Sequence, residues 1–157
     1  MNGLQGQYFP NTTFTPPVAI TRIDQNIDAH YTEPATPDPS LPADWSTRWT
    51  GFIMPMFSET YTFLVYVDDT MAVWINGVNI LPTQQGQGAG VLIPCAPIAL
   101  VVGQPVPIRV DFAQTMGQFA DAHLYWQSAS QVQQIVPTSQ LYSPGPAPRN
   151  LTVTIVY

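Results

Sequence analysis

Two aspartates, Asp68 and Asp69, stand side by side in "TYTFLVYVDDTMAVWINGVNIL" (60–81), between two apolar runs, in a chain of which only 9% is charged. Adjacent carboxylates suit two kinds of chemistry. Their oxygens can accept backbone N–H groups and shape a turn. They can also hold a hard divalent cation through which something else binds, since calcium takes about six to eight oxygens from carboxylates, amides, carbonyls and water.

Other residue types offer less. His30 and His123 are the only histidines, and no serine or cysteine nucleophile motif accompanies either. Glu33 and Glu59 are the sole glutamates, and no acidic pair can be set across a cleft from sequence. The chain is therefore read as a non-enzyme. Cys95, in "VLIPCAPIAL", reads as an inert buried thiol, and no Cys/His cluster has zinc spacing. The glycines of "TQQGQGAG" (83–90) make no phosphate cradle, because neither a lysine nor a helix follows; the stretch reads as a flexible polar loop.

The elements that must position the aspartates are strands. In "TYTFLVYV", Tyr61, Phe63, Val65 and Val67 share one face, and "MAVWI" continues the period of two. Asn76-Gly77 then supplies a strong hairpin signal. "PIRVDF" puts Ile108, Val110 and Phe112 on one face, and "AHLYW" does the same for Ala122, Leu124 and Trp126. Trp49, Trp74 and Trp126 occupy strand positions, where packing is the expected role; Trp45, after the proline-rich stretch, has no such assignment. No stretch sustains a helical period. The expected fold is all-β, two packed antiparallel sheets forming a β-sandwich.

"EPATPDPSLPAD" (33–44) carries four prolines and reads as a surface excursion. Residues 1–142 are expected to form the sandwich, 143–149 ("SPGPAPR") a stiff Pro/Gly linker, and 150–157 ("NLTVTIVY") an extra C-terminal strand. That strand must pair within the domain or with a neighbouring subunit, because its backbone cannot satisfy itself. Asn11-Thr12-Thr13 and Asn150-Leu151-Thr152 match the short glycosylation pattern, which matters only in a host that glycosylates secreted chains.

Composition narrows the partners. The 157 residues include four arginines and no lysine, for a net charge of −6. No basic stripe is available to neutralise phosphates, which argues against nucleic acid and against anionic membrane surfaces. No apolar run approaches the roughly 20 residues of a membrane span, so no membrane insertion is expected. The N-terminal "MNGLQGQYFP" does not read as a signal peptide. That leaves an excised domain, or a protein reaching its place without a secretory signal, as a virion protein would.

Several stretches, in order, resemble one family: "GLQGQYF" (3–9), "RIDQNID" (22–28), "WSTRWTGFI" (45–53), "YTFLVYVDDTMAVWINGV" (61–78), "VVGQPVPIRVDF" (101–112), "LYW" (124–126) and "IVPTSQLY" (135–142). Together they are similar to the PA14 domain, a β-sandwich module of adhesins, toxins and glycosidases. The resemblance implies a calcium-dependent carbohydrate-binding lectin or adhesion module, extracellular or exposed on a virion or cell surface. In adhesin members the aspartate pair is joined by a cis peptide and binds one calcium, a second loop adds a side-chain oxygen and carbonyls, and neighbouring sugar hydroxyls complete the shell. Here that implies Asp68 and Asp69 as metal and sugar ligands, with Gln114 and Gln118 from "AQTMGQFAD" (113–121) adding metal oxygens and Gln118 touching the sugar.

Two departures stand out. Thr70 follows the pair where the family usually has glycine, and the second loop offers Gln114, Thr115 and Gln118 where lectin members tend to carry Asn or Asp. Asp121, if inside the following strand, would point away from the site. The competing expectation is a structural or decorating subunit of a virion or surface appendage, without a metal site and assembled with other subunits through residues 150–157. An accessory module of a glycoside hydrolase is a third, but these residues supply no catalytic domain.

Overall fold

The computed structural model describes residues 1–145. The linker beyond Gly145 and the expected strand at 150–157 lie outside the described residues.

Among the described residues thirteen strands follow in chain order: β1 Leu4–Phe9, β2 Ile20–Asp24, β3 Asp28–Thr32, β4 Trp45–Ile53, β5 Glu59–Asp68, β6 Thr70–Ile75, β7 Val78–Gln85, β8 Ile93–Pro94, β9 Ile98–Leu100, β10 Val106–Gln114, β11 Phe119–Gln127, β12 Gln134–Ile135 and β13 Leu141–Tyr142. The first sheet runs β2-β1-β4-β10-β6-β7, with β13 also on β4. The second runs β12-β11-β5-β8, with β3 on β11 and β9 on β5. All pairings are antiparallel, as the alternating sequence predicts.

The inward faces are those the period of two picks out. Tyr61, Phe63, Val65 and Val67 of β5 meet Ile108, Val110 and Phe112 of β10 in one core cluster, with Leu124 and Trp126 from β11. Trp45 is also buried there, and its indole Nε1 donates to the Ala35 carbonyl at 2.9 Å. The excursion at 33–44 contains no strand, and the β6–β7 hairpin turns on Asn76 (φ 51°) and Gly77 (φ 74°). Positive φ at both centres suits a type I′ turn, which Asn-Gly favours. Among the described residues no helix is long and apolar enough to cross a membrane.

The site is positioned by two crossovers between the sheets. β5 belongs to the second sheet and β6 to the first, so the chain changes sheets within one residue, Asp69. β10 and β11 make the reverse crossing through residues 115–118. Asp68-Asp69 is thus a sheet crossover rather than a hairpin turn.

Candidate functional site

Where the two crossovers meet, Thr115 ties one to the other. Its backbone N–H donates to Asp69 Oδ2 at 2.6 Å and its hydroxyl donates to the same oxygen at 2.7 Å. The Asp68-Asp69 peptide is cis, the geometry implied by the resemblance. Beside it lies a cavity of about 410 Å³ whose walls include Asp68, Asp69, Asp121, His30, Tyr66 and Phe119.

Gln85, Gly86, Gly88 and Ala89 also line it. The stretch 83–90 was expected to be all loop, but β7 extends through Gln85, because Thr70 and Met71 of β6 give it ladder partners. The Gly86 N–H then donates to the Asp69 carbonyl at 2.9 Å. A Cβ at Gly86 would run into the Val67 carbonyl oxygen, so this close approach requires glycine.

Strand register sets the rest of the site. On β3, β11 and β5, alternation sends Asp28 and His30, Asp121 and His123, and Tyr66 and Asp68 to one outward face. Pairing aligns His30 with Asp121 and Asp121 with Asp68 in one row, and Asp28 with His123 and His123 with Tyr66 in the next. Directly opposed residues touch. His30 Nδ1 lies 2.7 Å from Asp121 Oδ1, His123 Nε2 lies 3.0 Å from that same oxygen, and His123 Nδ1 lies 2.7 Å from Asp28 Oδ1. Tyr66 stacks on His123 with ring centroids 5.3 Å apart, and Phe119 stacks on His30 at 6.1 Å.

Asp121 does lie within the strand after the second loop, but it points to the site and lines the cavity. Sequence reasoning set both histidines aside for want of a nucleophile. The signal that would have found them is the repeated tripeptide Asp-Ala-His at 28–30 and 121–123. Paired antiparallel, each aspartate faces the other copy's histidine.

The electrostatics are lopsided. Burial, a hydrogen bond with Asp69 and the charges of Asp69 and Asp121 push the Asp68 carboxyl up to about 6. The arginines Arg22, Arg48 and Arg109 all pair with aspartates on the first sheet, and none lines the cavity.

Of the four expected metal ligands, Asp68 and Asp69 line the cavity. Gln114 is buried, and its Nε2 donates to the Phe119 carbonyl at 2.8 Å and the Thr115 carbonyl at 3.3 Å. Its Oε1 is buried with no partner among the described residues. Gln118 is exposed in the loop, and neither glutamine is part of the cavity wall.

No three His, Cys, Asp or Glu side chains converge as a metal-holding group among the described residues. The donor set is therefore unsuited to zinc, which wants three or four nitrogen, sulfur or carboxylate ligands. Calcium, which takes carboxylate, amide and carbonyl oxygens together, suits the Asp68–Asp69 carboxylate pair better, while the buried Gln114 amide oxygen lies outside the cavity wall.

Two antiparallel sheets with a carboxylate-lined cavity at their crossovers define a β-sandwich module. Residues 1–140 match the PA14 domain family, and the chain belongs to that family. It is 39% identical over 150 residues to the anti-sigma-I factor RsgI3 of Acetivibrio thermocellus, a match covering 94% of this chain and 22% of that protein. The chain therefore spans about a fifth of that relative's length. An anti-sigma factor domain-containing protein from Clostridium clariflavum superposes with a TM-score of 0.82 at 32% identity, over 93% of this chain and 48% of that one. A PA14 sugar-binding domain from an RTX adhesin shares the fold with a TM-score of 0.71 at 16% identity, over 91% and 99% of the two chains.

Proposed function

We propose that this PA14 domain is a carbohydrate-binding module that takes its glycan in the Asp68–Asp69 cavity, with calcium between protein and sugar. The observation that carries the reading is a carboxylate pair opening onto a cavity of about 410 Å³ beside Tyr66, His30 and Phe119. Few polar groups set against aromatic walls suit a sugar, which has hydroxyl edges and apolar C–H faces.

Asp68 and Asp69 would hold the ion, with Gln114 and Gln118 of the second loop as the side-chain oxygens that would complete its shell. The ion would supply open coordination positions for vicinal hydroxyls. Thr115 keeps Asp69 oriented, and Gly86, Gly88 and Ala89 would bound the ligand along the cavity wall.

The kinship with an anti-sigma-I factor supports a setting as well. In a longer regulator this domain would be the ligand-binding part, exposed at the cell surface, with its occupancy read elsewhere in the chain.

Thermal unfolding with millimolar calcium, with chelator and with Asp69→Ala tests the metal. A ligand of the folded state at about a hundred times its Kd adds roughly 2.7 kcal/mol, or about 5 to 10 °C for a domain of this size. The expected result is a rise with calcium that chelator and Asp69→Ala both abolish, together with calcium-dependent signals on a glycan array. No shift and no signal on any glycan would overturn the reading.

A further inference from the structure

We propose that His30 is a specificity-determining residue of this cavity, its Nε2 accepting a hydrogen bond from one hydroxyl of a neutral sugar while Asp121 fixes the ring. The inference rests on the carbohydrate reading and deepens it.

The Asp121 carboxylate, once ionised, can only accept, so at 2.7 Å the hydrogen between it and His30 sits on Nδ1. In the neutral ring Nε2 then carries the lone pair, and among the described residues it makes no hydrogen bond. An acceptor of fixed position is thereby offered at the cavity wall.

The fixing is more elaborate than exposure requires. The His30 side chain is 54% exposed, yet it is tied to Asp121 and stacked on Phe119 with 15° between the rings. Asp121 Oδ1 is held in turn by His123 Nε2, and His123 by Asp28. A carboxylate that orients an imidazole through one nitrogen selects what the other nitrogen can do.

The bland alternative is that His30 only compensates the buried Asp121 charge. The two roles differ in which sugar positions they affect. Binding of the methyl glycosides of glucose, galactose, mannose and fucose, and of their monodeoxy derivatives, is to be titrated with calcium present against wild type, His30→Ala, His30→Gln and Asp69→Ala. Folding of each variant is checked by thermal unfolding.

For a glycoside that binds, His30→Ala is expected to weaken it several-fold to about tenfold, the scale of one hydrogen bond. One deoxy derivative should bind wild type correspondingly worse, yet bind His30→Ala as well as its parent does. Such non-additivity marks direct contact. His30→Gln, which keeps an acceptor at similar reach, should recover part of the loss.

Binding abolished by Asp69→Ala, with the same deoxy profile in wild type and His30→Ala, would overturn the His30 role and leave the carbohydrate reading standing. Absence of binding to wild type by every glycoside, with a blank glycan array, would overturn both.

Discussion

Asp111 and Asp68 are both aspartates on the outward face of a central strand, and their surroundings drive them in opposite directions. On the first sheet, burial alone would raise Asp111, but forked hydrogen bonds from Arg48 (2.8 and 2.8 Å) and Arg109 (3.0 and 2.6 Å), with both positive charges, outweigh it and hold the carboxyl below its usual value. On the second sheet, burial does most to raise Asp68, and a hydrogen bond with Asp69 and the charges of Asp69 and Asp121 push it the same way. One carboxylate is fully satisfied within the protein. The other is charged at neutral pH at a standing cost, and a cation would relieve it. Perturbed acids of the second kind mark sites; those of the first kind build sheets.

The sharpest way to break that contrast is Asp111→Ala. It strands two guanidiniums whose side chains are 28% and 41% exposed. Removing one partner of a buried pair costs about 3 to 5 kcal/mol, and water contact at both arginines puts this case at the lower end. Chemical denaturation should read a loss of about 3 kcal/mol, with a Tm lower by roughly 10 °C. A change under about 1 kcal/mol would mean that the first sheet's charges matter no more than ordinary surface pairs.

Asp68→Asn should act the other way. Because the folded-state carboxyl is raised to about 6 from its ordinary value of 3.8, the folded protein binds that proton more tightly than the unfolded chain. The metal-free domain therefore loses stability from this group as pH rises from about 4 through about 6, and the cost is fully present above that window. In chelator, Asp68→Asn is expected to melt a few degrees above wild type at pH 7 and level with it near pH 4. Equal melting at both pH values would remove the claim that Asp68 is held at a cost. In calcium the order should reverse, since an amide is a poorer ligand than a carboxylate.

The same contrast shows what the sequence could and could not reveal. Alternation in "TYTFLVYV" and "PIRVDF" identified the inward faces, because burial and period are both local. Asn76-Gly77 identified the hairpin for the same reason, and Asp68-Asp69 was conspicuous in a chain so poor in charge. What stayed hidden depends on register between distant strands. His30 meets Asp121 across 91 residues, and Asp28 meets His123 across 95. Nothing within β3 specifies that β11 will lie beside it, and a slip of β3 by one residue would turn Asp28 and His30 to the other face. The repeated Asp-Ala-His was in view, but a tripeptide acquires meaning only once the pairing is known. Trp45 has no assignment from sequence because the loop packed over it, whose Ala35 carbonyl accepts its indole N–H, is irregular and carries no period.

The smallest expected effect tests the second sheet most directly. Thr115→Val removes the hydroxyl that donates to Asp69 Oδ2 and leaves the backbone N–H bond to the same oxygen. Thr115 is exposed, so water replaces the lost donor and stability should fall by under about 1 kcal/mol. Calcium binding should nonetheless weaken, by about tenfold or somewhat less, because partners that orient a ligand commonly carry effects of roughly ten- to a hundred-fold on metal affinity and here half the hold remains. Calorimetric titration with calcium beside a melting curve reads both quantities from one preparation. On the first sheet, losing a partner shows as instability; here it should show as lost affinity with the fold intact. A melting loss rivalling that of Asp111→Ala, with calcium binding unchanged, would make the Thr115–Asp69 tie a strut between the sheets and dissolve the distinction.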